Sequence, residues 1–102
     1  MGKSWVSKKV RVRNPMGMHA RPAGRFVALV QEFDARVRVS SRGEEVDGSS
    51  ILSLLMLEAV KGVELQISCS GKEKKAALAA LVALVENGFE EMESYDGRGA
   101  RG

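Results

Sequence analysis

"VRVRNPMGMHARPAGRFVALV", residues 10–30, changes its period partway along, and that change decides the fold. Up to Arg13, apolar and polar residues alternate. Val6, Val10 and Val12 fall on one face, with Lys8 the exception, and Ser7, Lys9, Arg11 and Arg13 fall on the other. A period of two is that of a strand with one solvated side. Asn14-Pro15-Met16-Gly17 then makes a turn. From Ala20 onward, Ala23, Phe26, Val27, Val30 and Phe33 recur every three or four residues, as on one face of a helix. Pro22 constrains where that helix begins. Its ring nitrogen has no hydrogen, so it is accommodated only in the first turn. The helix therefore starts at or near His19–Ala20, and the only histidine of the 102-residue chain lies at a helix N-terminus.

Further along the chain the two periods continue to alternate. "ARVRVSSRGEEV" (35–46) predicts two short strands around a turn at Ser41–Gly43, with Val37 and Val39 inward. "DGSSILSLLMLEAV" (47–60) predicts a short helix, with Asp47, Ser49 or Ser50 as N-cap. "VELQISCS" (63–70) is a strand with Val63, Leu65, Ile67 and Cys69 on one face. Ser70 and Glu73 have the spacing of a capping box for a last, Ala- and Leu-rich helix, which ends near Asn87-Gly88. The order is strand, helix, two strands, short helix, strand, helix. Alternating rather than continuously apolar strands predict an antiparallel sheet with helices on one face, an α+β fold. Residues 1–89 make one domain, and residues 90–102 are a polar, Gly-rich tail expected to be disordered.

Composition narrows the class. Hydrophobic residues are 44% and charged residues 28% of the chain, the balance of a single soluble domain. No apolar run nears the ~18 residues of a membrane span, and "MGKSWVSKKV" has no signal-peptide core. A myristoylation motif fails because Val6 stands where it needs Ser or Thr. One cysteine, Cys69, allows no internal disulfide, and a single His far from it predicts no metal site. The expected compartment is the cytoplasm. A net charge of +3 favours acidic partners.

His19 is the candidate for chemistry. A neutral imidazole offers a lone pair that can attack phosphorus. The N-terminus of a helix carries unpaired N–H donors and about half a positive charge, which favour a phosphate. Arg21 adds a forked donor matched to phosphate oxygens, although arginine in a first turn opposes the helix dipole. No carboxylate pair, Ser-His-Asp set or P-loop accompanies the site, and "GKS" at Gly2–Ser4 lacks the P-loop spacing. A residue able to accept and release a phosphoryl group without turnover machinery is a carrier.

"GMHARPAGRF" (17–26) resembles the active-site segment of the histidine-containing phosphocarrier (HPr) family of the bacterial phosphoenolpyruvate-dependent phosphotransferase system. "DGSSILSLLML" (47–57) resembles that family's regulatory-serine helix, and "KGVELQISCSGKEKKAALAAL" (61–81) its last strand and helix. The resemblance runs from Val6 to Phe89. It implies an open-faced sandwich of four antiparallel strands with three helices on one side, βαββαβα. It implies a monomeric stoichiometric carrier, not an enzyme, that needs no cofactor. His19 would take phosphate on Nδ1 from enzyme I and pass it to an enzyme II A component in sugar uptake, with Arg21 and Ala20 stabilising the phosphoryl group. Ser50 would match the serine modified by HPr kinase/phosphorylase in members that have this control. Some branches of the family serve nitrogen or carbon regulation instead. Met16 and Ser53 depart from residues common in the family, as does the length of the tail.

"SILSLLMLEAV" (50–60) has more large apolar residues than one helix face can bury, so some of Ile51, Leu52 and Leu55 are expected at the surface as a partner-docking patch. The family resemblance implies that this helix shares its docking face with the first one, which would bring Ala20 and Gly24 into the same patch. Glycine in a helix interior costs about 1 kcal/mol relative to alanine, which close approach of a partner would explain. A rival reading makes Lys9, Arg11, Arg13, Arg36 and Arg38 a nucleic-acid-binding sheet face. Its weakness is the lack of aromatics for base stacking, with Trp5 alone available.

Overall fold

A computed structural model of the chain describes residues 4–90. Its elements are β1 (Val6–Arg11), α1 (Ala20–Val30), β2 (Arg36–Ser41), β3 (Glu44–Asp47), α2 (Ile51–Met56), β4 (Glu64–Ser70) and α3 (Lys74–Glu86), followed by a 3-10 turn at Gly88–Glu90. The four strands form one sheet in the order β1-β4-β2-β3, antiparallel throughout. This is the expected α+β open-faced sandwich.

The topology explains why the helices share a face. β1 and β2 both run antiparallel to β4, so they are parallel to each other, and a parallel pair needs a crossover, here through α1. β3 and β4 are likewise parallel, joined through α2. The second crossover moves across the sheet in the opposite sense along reversed strands. With the usual right hand, both deposit their helices on the same side. The β2–β3 hairpin is simpler. Arg42 (φ 50) and Gly43 (φ 86) form a two-residue turn with both residues left-handed, which matches the strand twist.

The core lies between sheet and helices. Leu65, Ile67 and Cys69 of β4 are fully buried, with Val37 and Val39 of β2 beside them and Ala23, Phe26, Val27 and Val30 of α1 above. The expected inward faces are therefore the observed ones. The Cys69 thiol, buried here, has its pKa pushed up to about 11 by burial. It is a packing residue rather than a nucleophile.

One local expectation is corrected. Ser70 does not cap α3: it is the last residue of β4 and buried. The N-cap is Glu73, with no side-chain cap bond. Its Oε1 instead accepts the Asp34 N–H at 2.7 Å, while its own N–H donates to the Asp34 carbonyl at 2.9 Å. The carboxylate ties two loops together, a long-range role that local spacing does not reveal. The chain continues past Phe89 for one described residue. Glu90 belongs to the 3-10 turn and lies 3.6 Å from Arg25, whose guanidinium also donates to the Phe89 carbonyl. The rest of the expected tail, 91–102, lies outside the described residues.

Phe89 is fully buried, so this turn closes the core. Phe89→Ala is expected to cost about 3–5 kcal/mol, the usual range for a buried aromatic. Urea unfolding measures it, and a loss below about 1 kcal/mol would show the ring to be peripheral. A pH effect follows from Asp47, which accepts hydrogen bonds from Ser49 Oγ (2.7 Å) and Ser49 N–H (2.9 Å). These bonds, aided by Arg38, hold its carboxyl below the ordinary 3.8. A depressed carboxyl stabilises the fold while ionised, and the contribution disappears as pH falls below about 3.8 through the folded value. Asp47→Asn should therefore show a shallower fall in stability than wild type over that acid range when melting is followed against pH.

Candidate functional site

His19 is the N-cap of α1, with extended backbone (φ −99, ψ −168) and a half-buried side chain that makes no capping hydrogen bond. Its carbonyl accepts the Ala23 N–H at 3.0 Å, which starts the helix. Pro22 is buried in the first turn, as its chemistry requires. It donates nothing, so Ala20 and Arg21 supply the first-turn amide donors beside the imidazole. Both residues are exposed.

The loop before His19 is held by backbone. Asn14 is fully buried and donates from Nδ2 to the Gly17 carbonyl at 2.7 Å, and Gly17 N–H returns a 3.1 Å bond to the Asn14 carbonyl. Met18 N–H donates to the Ala59 carbonyl at 2.8 Å. Gly17 allows this approach. At φ +73, a Cβ there would lie 2.6 Å from the Ala59 oxygen and 2.9 Å from Val60 Cα. Val12 and the 62–63 segment exchange two more backbone bonds, Val12 N–H to Val63 O (2.9 Å) and Gly62 N–H to Val12 O (2.8 Å). The imidazole thus projects from a loop fastened to the chain that follows α2.

The short helix α2 packs beside α1. A Cβ built on Gly24 would lie 4.0 Å from Ile51 Cδ1, an ordinary contact, so internal packing does not demand glycine at this position. Ser50 is the N-cap of α2, and its Oγ accepts the Ser53 N–H at 3.2 Å. Ser49 is instead bonded to Asp47. Of the expected patch residues, Ile51 (43% exposed) and Leu52 (69%) are at the surface, whereas Leu55 is half-buried against the core. Met56, Met16 and Val60 are also exposed apolar residues, at 68%, 64% and 59%. Sequence reasoning missed these three. Met56 lies one turn beyond Leu52 on the same helix face, a signal that was available. Met16 and Val60 lie on the two segments joined by the Met18–Ala59 bond, and their exposure depends on tertiary placement.

The basic sheet face is of mixed charge. Arg38 pairs in register with Asp47, bonds Glu45 at 3.2 Å and stacks over Trp5 at 5.4 Å. The one candidate stacking aromatic is thus already covered by a guanidinium. Among the described residues no cluster of His, Cys, Asp and Glu could hold a metal ion, and no helix is long and apolar enough to cross a membrane.

Comparison with known proteins gives the family of the chain. Residues 6–87 match the family model described as the PTS HPr component phosphorylation site. The chain is 40% identical over 87 residues to phosphocarrier protein NPr of Escherichia coli K12, covering 84% of this chain and 97% of that protein. It is also 40% identical over 86 residues to phosphocarrier protein HPr of Pseudomonas aeruginosa, covering 83% and 96%. The crystal structure of an HPr from Thermoanaerobacter tengcongensis is similar, with a TM-score of 0.80 at 29% identity over 83% of this chain and 96% of that one. A helix-capping histidine in a backbone-fastened loop, on a four-stranded open sandwich matched over nearly its whole described length, places the chain in the PTS-HPr family of phosphocarriers.

Proposed function

We propose that this protein carries a phosphoryl group on His19, taking it from phosphorylated enzyme I and giving it to an enzyme II A component. The observation that carries the reading is that His19 is the N-cap of α1, so that the next two residues, Ala20 and Arg21, carry the first-turn N–H groups and Arg21 an exposed guanidinium. A ring nitrogen lone pair, on Nδ1 by the family resemblance, attacks phosphorus. The new P–N bond forms as the bond to the donor breaks, and the reverse exchange with the acceptor regenerates His19. The phosphoryl oxygens are met by first-turn N–H groups and the positive end of the helix dipole, and the forked guanidinium of Arg21 adds charge-assisted bonds. The protein is a stoichiometric carrier in the cytoplasm, acting as a monomer and without a cofactor.

Docking uses the apolar surface formed by Ala20 and Gly24 of α1 with Ile51, Leu52 and Leu55 of α2, extended by Met56. Exposed Arg13, Arg21 and Lys61 provide positive charge toward acidic partners. Methionine side chains adapt to differently shaped surfaces, which suits a carrier that meets donor and acceptor in turn. Ser50, at the start of α2, is the site for regulation by an HPr kinase/phosphorylase.

A second reading concerns the receiver. Relatives named NPr and a relative named HPr are both 40% identical to the chain, so a nitrogen-regulatory acceptor stands as the alternative to a sugar-specific one. Transfer from the phosphorylated protein to purified enzyme II A components of each kind separates the two. Faster transfer to the nitrogen-regulatory component decides for the second reading.

Incubation with phosphoenolpyruvate and enzyme I should give one acid-labile phosphate on wild type and none on His19→Ala, with both proteins folded. Label surviving in the variant would exclude His19 as acceptor. Arg21→Ala should slow transfer about 10- to 100-fold, as expected for loss of charge-assisted bonds, and Arg21→Lys should recover only part. Equal rates for all three would remove Arg21 from the site.

Ser50→Asp separates docking from folding. An aspartate can accept the Ser53 N–H as the serine does, so the cap and the melting temperature should be retained. The added charge beside Ile51 and Leu52 must be desolvated on docking and opposes an acidic partner. The apparent KM for transfer from enzyme I should rise about tenfold, roughly 1.4 kcal/mol of lost binding, with Ser49→Asp doing less. Wild-type kinetics in Ser50→Asp, or loss of activity only through melting, would refute the regulatory assignment.

A further inference from the structure

The position of His19 depends on residues 57–60, because Met18 N–H bonds the Ala59 carbonyl and Gly17 packs against Ala59 and Val60 backbone. Those residues follow a short helix, α2, that has no basic residue in its last turn. They also include Glu58, whose φ of 51 places a non-glycine residue in the left-handed region. That conformation ordinarily falls to glycine after a helix, and a side chain there costs about 1–2 kcal/mol. The segment must therefore be held by something outside itself. Leu57 and Ala59 anchor it from within, both almost fully buried. From outside, Arg42 reaches over from the β2–β3 turn. Its Nη2 donates to the Leu57 carbonyl at 2.7 Å and lies 3.4 Å from the Glu58 carbonyl. These are carbonyls at the C-terminal end of α2, which lack intrahelical partners and carry the negative end of the dipole.

We propose that Arg42 is a positioning residue for phosphoryl transfer at His19, acting through the 57–60 segment and not on the phosphate. The inference rests on the reading of His19 as phosphoryl acceptor. Without the guanidinium, the carbonyls of Leu57 and Glu58 return to water and Glu58 is free to leave its strained conformation. The Ala59 carbonyl then shifts relative to Met18, and the loop that carries His19 into the N-terminus of α1 loosens. A lysine at position 42 can supply one donor to one carbonyl and restores the clamp in part.

The test uses the full chain as wild type, Arg42→Ala, Arg42→Lys and the core variant Val39→Ala. Amide hydrogen exchange and transfer from enzyme I are measured on each. In Arg42→Ala, Met18 N–H should exchange about tenfold faster, the scale of a lost hydrogen bond to a charged group, while Ile67 N–H in β4 is unchanged. Transfer at saturating enzyme I should fall about tenfold with little change in KM, and Arg42→Lys should recover part of both effects. Unchanged Met18 exchange would overturn the proposal. So would an equal loss of transfer in Val39→Ala at the same fraction folded, since that would make the effect one of general stability. If wild type takes no acid-labile phosphate, the phosphocarrier reading fails on its own, and Met18 exchange still reports whether Arg42 clamps the loop.

Discussion

β4 is the strand on which the other elements depend. It pairs with β1 on one side and β2 on the other, and its inward residues Leu65, Ile67 and Cys69 are fully buried. A late strand inserted between two earlier ones forces the connections β1 to β2 and β3 to β4 to be crossovers. Crossovers over a sheet are helices, and their shared handedness puts α1 and α2 on one face. The loops at the ends of these crossovers then meet. The loop entering α1 is tied to the loop leaving α2 by the bonds of Met18, Val12 and Gly62. The proposed acceptor histidine is located by the insertion of β4.

This arrangement supplies electrostatics with little side-chain machinery. The donors beside the imidazole are backbone amides of a helix N-terminus, which need no reorganisation when a phosphoryl group arrives. One arginine supplements them. A carrier must release its phosphate as readily as it accepts it, and the proposed site of two amides and one exposed guanidinium leaves the group at the surface. Arg25, one turn beyond Arg21, is instead engaged with Phe89 and Glu90 and belongs to the closure of the fold.

The two faces of the sheet serve different ends. On the open face Arg38 is matched by Glu45 and Asp47 and lies over Trp5, so that guanidinium is already engaged within the molecule. On the helical side Leu52, Met56, Met16 and Val60 are left exposed near the histidine loop, with Ile51 touching the position of Gly24. Exposed apolar surface on the helical side fits the docking proposed for it.

Much of this was written locally. The switch from a period of two to 3.6 across the Asn14–Gly17 turn, with Pro22 confined to the first turn, located α1 and set His19 at its N-terminus. Alternation identified the inward residues of β2 and β4, and the short apolar segment after Ser50 had more large side chains than a small helix can hide. These features are legible because strand and helix periods, caps and proline constraints act within a few residues of one another. Where two segments distant in the chain met, local pattern was silent or misleading. Ser70 and Glu73 have the spacing of a capping box, yet Glu73 bonds Asp34 and Ser70 ends a strand. Phe89 fills the core only because the 3-10 turn folds back beneath Arg25. The Ala59 carbonyl, the close approach at Gly17 and the reach of Arg42 to Leu57 have no sequence signature. The residues themselves determined which helix bears the histidine and which groups surround it at short range. The tertiary structure decided where that histidine points, because its loop is fixed by backbone bonds to a segment some forty positions away, and a backbone carbonyl is the same in every residue.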